Sequence, residues 1–467
     1  MRGISQAIPR RVAWFYGAGG LGCAAKGWPI SSFLMLYYHE VLGLSAVAVS
    51  LVLLIVTICD AIFDPMIGHL SDQLRGRCGR RLPLMTASIV PVTISFVLLW
   101  NPPTASPALM LGFLAVCLLL LRFFDTLFEL PHLALVAELT ADPQARVRLL
   151  ASRYFFEGVG GLAIAVLTYN VLLKENPDGS GGLLSPAGYP LFSVVVGMLI
   201  LLPLSVCVTG LWPYARRLQA ALPPTRSLRQ QLDGIGAILR YRPIIVLALV
   251  TTLVLAGAGV GGALGLYSLL FIFQFTQAQI TVLSMLFLAG MLMAALAPRL
   301  CGSLSPRKAA IALCWTYAAA TAIPLLARLS GALDPGNPAL FALVAFQGFI
   351  CASALSMLTV MLLTMLASQT DHFGRQTGRR CEGMIVATNT FARKLAQGVG
   401  ILIAGMILDG VSFPSAAGRH AVPGPVLDAL IVTYLIVEIL LFALCTILLR
   451  PRSRTAARYP GARKASC

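Results

Sequence analysis

The sequence predicts an all-α polytopic membrane protein with twelve transmembrane helices arranged in two six-helix halves. Three observations support this fold class. Apolar residues make up 58% of the 467 residues, whereas a soluble domain has about 45–50% even when glycine is included. Charged residues make up 11%, which is too few to cover a soluble surface of this size. Apolar segments long enough to cross a bilayer also recur along the whole chain.

Twelve segments have the roughly 20 apolar residues that a transmembrane helix needs. They are 12–38, 45–70, 82–100, 107–139, 149–173, 189–213, 243–274, 278–304, 309–329, 338–368, 384–412 and 426–449. A long basic stretch at 214–242 leaves six spans on either side. We therefore predict an N-terminal six-helix bundle at 1–213, a cytoplasmic linker at 214–242, a C-terminal bundle at 243–449 and a basic cytoplasmic tail at 450–467.

The distribution of positive charge predicts the orientation. Of the 35 lysine and arginine residues, 27 fall in or beside segments that are cytoplasmic if the N-terminus is inside. Only Lys174, Arg328 and Arg419 fall in or beside the outer loops, and the rest lie within spans. Because cytoplasmic loops of membrane proteins are enriched in lysine and arginine, both termini are predicted to be cytoplasmic and the protein to lie in the cell membrane.

The same pattern narrows the class of function. The net charge of +17 comes mainly from lysine and arginine residues in the predicted cytoplasmic segments. We expect these residues to contact membrane lipid, and we expect no nucleic-acid partner. Six spans on each side of a linker are typical of a secondary transporter, which binds its solute between the halves. The chain has no GxxxxGKS phosphate loop and no HExxH motif. We therefore expect a monomeric transporter of a small molecule, with no enzymatic activity, metal site or tightly bound cofactor.

Span 2 carries two aspartates, Asp60 and Asp64, in the segment VTICDAIFDPMIGHLSD. Residues four apart share a helix face, with Cβ atoms about 6 Å apart. At an effective dielectric constant near 20, two negative charges at that distance repel each other by about 2.8 kcal/mol. Charged groups inside the membrane are functional candidates by default. We expect this pair to hold a proton, a metal cation or a lysine, and a static pairing with arginine is the alternative.

Spans 4 and 5 carry further membrane-embedded charges. Asp125 and Glu129 are four residues apart in LRFFDTLFELPHLALVAELT, and Thr126 adds a hydroxyl group close by. Pro131 weakens the helix at this point and frees a carbonyl oxygen that is a further candidate ligand. In span 5, Arg153 and Glu157 have the same four-residue spacing, which suits either a functional pair or a purely structural ion pair.

Four other polar residues in the spans have simpler interpretations. Lys394, in NTFARKLAQGVG, is flanked by small residues, so we expect it to face the bundle interior, where a carboxylate would stabilise it. His132 is expected to pack through hydrogen bonds, with proton relay as the alternative. Lys26 and Asp428 lie near span ends or stand alone, and both are expected to extend towards the membrane surface.

The loop after span 2 is short and basic. Asp72 ends the span, and Arg75, Arg80 and Arg81 follow in the segment RGRCGRR. The arginines are explained as an orientation signal alone. The aspartate adds a second interpretation, in which Asp72 pairs with these arginines or with a facing helix end and forms an inward gate.

Three segments carry a resemblance to a known family. They are DAIFDPMIGHLSD with the following RGRCGRR, then ELPHLALVAELT, and EGMIVATNTFARK. They fall in order in spans 2, 4 and 11, so the resemblance covers essentially the whole chain. In these segments the sequence resembles the glycoside–pentoside–hexuronide:cation symporters, the melibiose-permease-like branch of the major facilitator superfamily.

This resemblance implies the major facilitator fold, alternating access and a set of site residues. Its cation site would use Asp60, Asp64, Thr126 and Glu129, the last standing where the family often has aspartate. Lys394 matches the lysine of span 11 that links the cation and solute sites. On the solute side the resemblance implies Arg153, Glu129, Asn389, Thr390 and Lys394.

The sequence departs from the family's sugar-binding members at three positions. Ala24 stands where those members have an acid, and Leu133 stands where they have an aromatic residue. Both losses argue against a simple sugar, so we expect weak or no binding of galactosides. Phe63 replaces an asparagine that helps the sodium site, which favours a proton because a hard cation needs several oxygen ligands.

The sequence thus predicts a cation-coupled symporter in which H⁺ is favoured as the coupling ion and Na⁺ is the alternative. The moved solute is a small organic molecule, sugar-type or more apolar. Two alternatives remain open: a symporter of lysolipids or other amphipathic solutes from the same family, and a proton-driven exporter. Neither the solute nor the direction of transport follows from the sequence.

Overall fold

The computed structural model describes residues 9–74, 81–140, 142–175, 181–215, 241–301, 304–377, 382–415 and 422–450. Within those ranges the regular structure is helical, and the one isolated bridge joins Glu175 and Gly181. The predicted all-α fold is therefore confirmed. Most of the predicted linker and nearly all of the predicted tail lie outside the described residues, so the proposed domain boundaries stay a prediction.

Twelve long helices follow one another along the described chain. They are α1 (Arg10–Leu36), α2 (Ala46–Gln73), α3 (Leu82–Leu99), α4 (Pro107–Leu139), α5 (Pro143–Leu167), α6 (Tyr189–Ala215), α7 (Arg242–Tyr267), α8 (Gln277–Met291), α9 (Pro306–Leu329), α10 (Pro338–Thr377), α11 (Glu382–Gly410) and α12 (Gly424–Leu449). Six of them precede residues 216–240 and six follow. Each corresponds to one predicted span.

Eleven helices of the described chain are long and apolar enough to cross a membrane. The helix that does not qualify is α1, although it has 27 residues. Its glycines, serines and Lys26 lower its mean hydropathy, and sixteen of its residues are nonetheless buried in the bundle. The chain is therefore a multi-pass membrane protein, with α1 packed among the apolar helices.

Two helices illustrate how the observed helix ends differ from the predicted spans. The predicted span 278–304 is an α-helix only to Met291, where a 3₁₀ turn (Leu292–Leu296) and a short helix (Ala297–Cys301) follow. Helix α10 extends to Thr377, nine residues beyond its predicted end. The last of these residues are polar, so hydropathy marks the edge of the membrane and not the end of the helix.

Side-chain caps fix the start of several helices. Ser45, Asp142 and Ser305 each accept a hydrogen bond from a backbone N–H in the first turn of α2, α5 and α9. Thr276 and Gln279 form a capping box at the start of α8. These caps satisfy N–H groups that have no partner within the helix.

Glycines allow close packing within each set of six helices. Gly20 of α1 lies against the backbone oxygen of Arg153 in α5, with no room for a side chain. A Cβ atom on Gly259 of α7 would lie 2.9 Å from the backbone oxygen of Gln397 in α11. Small residues are typical of such contacts in membranes, where van der Waals packing drives helix association.

Helices α2 and α11 pack against each other and join the first six helices to the last six. A Cβ atom on Gly398 would lie 2.9 Å from Leu54 and 3.3 Å from Thr57. Farther along α11, Gly405 lies against Ser50. This contact places the charged residues of span 2 directly beside those of span 11.

Candidate functional site

A cavity of about 1010 Å³ lies between the first six and the last six helices. We call it the central cavity. Residues of nine helices line it, and most of these residues are apolar. Three of the lining residues are charged: Glu157 of α5 and Arg393 and Lys394 of α11. The volume is at the upper end of the range that holds small organic ligands.

Asp60, Asp64 and Lys394 form a charged cluster where α2 meets α11. The Lys394 Nζ atom lies 2.9 Å from Asp60 Oδ2 and 2.7 Å from Asp64 Oδ2. The hydroxyl group of Thr126 in α4 donates a hydrogen bond of 3.0 Å to Asp60 Oδ1. The structure thus brings together four of the predicted site residues, and it places the lysine between the two carboxylates.

The two aspartates differ in their surroundings. The Asp60 side chain is 8% exposed and the Asp64 side chain is 22% exposed. Asp60 is also held by Thr126. With both carboxylates ionised, the two negative charges exceed the single positive charge of Lys394, so the cluster attracts a further cation. Because the Asp64 side chain is the more exposed of the two, Asp64 is the more accessible position for that cation.

Glu129 and Arg153 form a separate ion pair. The Arg153 Nη2 atom lies 2.6 Å from Glu129 Oε1, and Arg153 is 2% exposed. The structure thus places Glu129 in a pair with arginine, whereas the family resemblance implied a role beside Asp60 and Asp64. The suggested ion pair between Arg153 and Glu157 is absent from the salt bridges of the described residues. Glu157 lines the central cavity instead.

Lys26 contradicts the sequence interpretation. The predicted extension towards the membrane surface is wrong, because Lys26 is 1% exposed and forms a salt bridge with Asp125 of α4. Its Nζ atom also lies 5.6 Å from the centre of the Phe128 ring. Lys26 lies in the middle of the 27-residue helix α1, too far from either end for its charge to reach water. The position of Lys26 in the middle of the span is the feature of the sequence from which its burial could have been predicted.

The other predicted residues are dispersed. His132 has a packing role, because its Nε2 atom lies 3.1 Å from the Tyr16 backbone oxygen and its ring stacks on Tyr16. Asn389 is buried, whereas Thr390 lines the central cavity. Asp428 lies exposed near the start of α12.

Only one of the predicted gate residues is described with its side chain. The Nε atom of Arg81, the residue before α3, lies 2.5 Å from Oε1 of Glu138 at the end of α4. Arg75, Arg80 and the side chain of Asp72 lie outside the described residues. The gate stays a prediction.

Sequence reasoning missed Glu438 in α12. It is 1% exposed, and neither carboxylate oxygen has a hydrogen-bond partner among the described residues. Tyr434, one turn earlier on α12, lines the central cavity. An acid in the middle of a span of apolar residues is itself the signal that could have found it.

The halves meet at the end of the bundle where α1 and α7 finish. We call this the closed end. His39 Nδ1 lies 3.0 Å from the hydroxyl oxygen of Tyr267, which joins the C-terminal ends of these two helices. The Asp409 carboxylate accepts hydrogen bonds from the Ser45 hydroxyl group and the N–H groups at the start of α2. A carboxylate at this position also interacts favourably with the helix dipole.

The model of one protein family, described as MFS/sugar transport protein, matches residues 15–451. Among curated relatives, an isoprimeverose transporter from Lactiplantibacillus pentosus is 22% identical over 452 residues, which are 95% of this chain and 88% of the relative. The inner membrane symporter YicJ from Escherichia coli (strain K12) is 24% identical over 377 residues, which are 80% of this chain and 77% of the relative.

A solved structure shares the fold. The crystal structure of the nucleoside transporter NupG superposes with a TM-score of 0.63 at 12% sequence identity. The match covers 95% of this chain and 100% of the NupG chain. At this identity the likeness concerns the fold alone. The relatives and the solved structure are membrane transporters and not enzymes.

Proposed function

Because this chain belongs to the MFS/sugar transport protein family, we propose that it is a proton-coupled symporter that moves a small organic solute by alternating access. One observation carries the proposal. Lys394 lies between Asp60 and Asp64, at the contact between the first and the last six helices and on the wall of the central cavity. A cation that binds there changes the contact between the halves and the charge of the solute site together.

The proposed cycle begins with a proton on Asp64. Protonation removes one of the two carboxylate partners of Lys394, so the electrostatic attraction between α2 and α11 weakens. Lys394 then has a free donor for a solute in the central cavity. We propose that the halves, 1–213 and 243–449, rock against each other once both the proton and the solute are bound.

The surroundings of the pair support a proton over Na⁺. A hard cation needs several oxygen ligands at once, whereas a proton needs one carboxylate. Near the pair, Phe63 supplies no oxygen, and its ring packs edge-on against Phe123 at a centroid distance of 5.3 Å. The hydroxyl group of Thr126 already donates a hydrogen bond to Asp60.

The test is uptake by the full chain in proteoliposomes. Radiolabelled glycosides, hexuronates and amphipathic solutes are offered under a pH gradient without sodium, and separately under a sodium gradient at constant pH. We expect accumulation under the pH gradient only. Accumulation driven by the sodium gradient alone would contradict proton coupling while leaving symport intact.

The orientation is a second proposal with its own test. The basic loops predict that both termini and the 214–242 linker are cytoplasmic, so the closed end faces outside. Reporter domains fused after Arg242 and after Arg450 are expected to give a cytoplasmic signal in whole cells. A fusion after Gly336, in the loop between α9 and α10, is the control and is expected to report outside. The opposite signal at Arg242 or Arg450 would overturn the orientation.

A further inference from the structure

A buried acid of α12 has no role in the proposed proton-coupled cycle. Glu438 is 1% exposed, and neither of its carboxylate oxygens has a hydrogen-bond partner among the described residues. It lies in the last six helices, whereas Asp60 and Asp64 belong to the first six. We propose that Glu438 is a separate proton-binding residue and that release of its proton draws the hydroxyl groups of Tyr317 and Tyr434 away from the central cavity.

The surroundings of Glu438 favour a neutral carboxyl group. Phe442, one turn later on α12, is fully buried, and its ring lies 5.3 Å from the ring of Tyr317, measured between centroids. An ionised carboxylate that is buried without a partner is strongly disfavoured, and such a group takes up a proton instead. We therefore expect Glu438 to hold a proton at neutral pH in the conformation that the structure shows.

Three titratable side chains from three helices face Glu438. They are Tyr317 of α9, Cys351 of α10 and Tyr434 of α12, and each lies within range of an electrostatic interaction with the carboxyl group. No charged side chain among the described residues has such an interaction with Glu438. Helix α7, which packs against α12, presents glycines at this level and adds no titratable group. A negative charge on Glu438 would therefore depend on the two tyrosine hydroxyl groups and the thiol group for hydrogen bonds.

The hydroxyl groups of Tyr317 and Tyr434 meet at the wall of the central cavity. A Cβ atom on Gly261 of α7 would lie 3.0 Å from the Tyr317 hydroxyl oxygen and 3.2 Å from the Tyr434 hydroxyl oxygen. All three residues line the cavity. Neither hydroxyl group has a hydrogen bond to a residue that the structure describes. Both hydroxyl groups are therefore available to a solute or to a new acceptor nearby.

An ionised Glu438 would be that acceptor. Tyr434 lies one turn before Glu438, so the two side chains share a face of α12. A hydrogen bond to a carboxylate is roughly twice as strong as one between neutral groups. After proton release, the hydroxyl groups of Tyr317 and Tyr434 are expected to turn from the cavity towards the carboxylate. The cavity wall then loses two hydrogen-bond donors, so Glu438 makes this wall sensitive to pH without contacting the solute.

Infrared spectroscopy of the full chain in nanodiscs tests proton binding, and it needs neither a solute nor an ion gradient. A protonated carboxyl group has a C=O stretching band that a carboxylate lacks. We expect Glu438→Gln to lose the intensity of one such group at neutral pH. Glu438→Asp should retain a band at a shifted frequency. Asp428→Asn is the matched control and should keep the whole band, because Asp428 lies exposed near the start of the same helix. Identical carboxyl bands in Glu438→Gln and the wild type would overturn the proposal.

A titration towards alkaline pH tests the response of the tyrosines. It stays below pH of about 10, where exposed tyrosines ionise. Because the ring bands of tyrosine respond to hydrogen bonding of the hydroxyl group, we expect a change in two of the 12 tyrosines as the Glu438 band disappears. Glu438→Gln should lose this change. The double variant Tyr317→Phe with Tyr434→Phe should also lose it while keeping the Glu438 band at neutral pH. A carboxyl band that persists throughout, or its loss without any change in the tyrosine bands, would contradict the proposal.

This inference and the proposed function fail in different ways. The spectra report Glu438 at equilibrium, whereas accumulation under a pH gradient reports coupling through Asp64. A carboxyl band that Glu438→Gln removes, without proton-driven accumulation by the wild type, would contradict the proposed function alone. Proton-driven accumulation by a protein that has no Glu438 band would contradict this inference alone.

Discussion

Replacement of Asp64 by asparagine is expected to abolish accumulation of the solute while leaving solute binding intact. The amide mimics a permanently protonated carboxyl group, so the site can no longer exchange a proton between the two sides. One coupled proton and a gradient of one pH unit support about ten-fold accumulation, because about 1.4 kcal/mol corresponds to a factor of ten. In Asp64→Asn this ratio should fall to about one, the value at equilibrium without coupling.

The measurement is the internal-to-external concentration ratio in proteoliposomes under an imposed pH gradient. Solute exchange at equal concentrations serves as the control for folding and binding, and it should persist. Asp428→Asn is the matched variant, since this aspartate lies exposed near the start of α12. Normal accumulation by Asp64→Asn would show that the paired aspartates do not couple transport to the proton.

Lys394→Ala should uncouple transport for a related reason. This variant removes the cation that both carboxylates bind at 2.9 and 2.7 Å. Two adjacent carboxylates without a cation repel each other, so one of them should stay protonated throughout the cycle. A proton that never leaves cannot drive accumulation. The same assay compares this variant with Asp64→Asn.

The largest effect on stability is expected at the buried pair of Lys26 and Asp125. Either Lys26→Met or Asp125→Asn leaves one charge buried without its partner. Loss of one member of a buried ion pair typically costs about 3–5 kcal/mol of the free energy of unfolding. The double variant Lys26→Met with Asp125→Leu removes both charges. It should be markedly more stable than either single variant, because apolar residues of similar volume often replace such a pair at little cost.

Thermal unfolding of the detergent-solubilised protein measures this effect. Asp334→Asn provides the comparison, because Asp334 lies 3.8 Å from Arg328 and its side chain is 79% exposed. Such an exposed pair contributes about 0–1 kcal/mol. If Asp125→Asn unfolds at the same temperature as Asp334→Asn, then the Lys26–Asp125 pair does not stabilise the bundle.

The ion pairs in the interior of the bundle fall into two groups with different expected roles. The Lys26–Asp125 and Arg153–Glu129 pairs each join two of the first six helices. The cluster around Lys394 instead joins α2 to α11 across the contact between the halves. Pairs of the first kind can stay intact while the halves move as rigid units. The cluster around Lys394 lies between the halves, where their proposed movement against each other must change the contacts of α2 with α11. This is why we propose that this cluster couples transport to the proton.

The sequence alone determined the fold class and the family. Twelve apolar stretches predicted the twelve helices, because hydropathy over about 20 residues decides whether a segment enters the bilayer. The motifs in spans 2, 4 and 11 predicted the family, and the family match over residues 15–451 confirms it. The four-residue spacing of Asp60 and Asp64 also placed them on one helix face. All of these are local properties that a short segment carries by itself.

Only the tertiary structure decided which charges meet. Glu129 is as close in sequence to Asp125 as Asp64 is to Asp60, yet Glu129 binds Arg153 whereas Asp125 binds Lys26. Sequence spacing likewise did not determine the burial of Lys26 or the cavity-lining position of Arg393. Nor did it determine that the Glu438 carboxylate has no hydrogen-bond partner among the described residues. The physical reason is that a side chain's partner depends on how helices distant in sequence pack, and glycine contacts such as Gly398 against Leu54 and Thr57 set that packing.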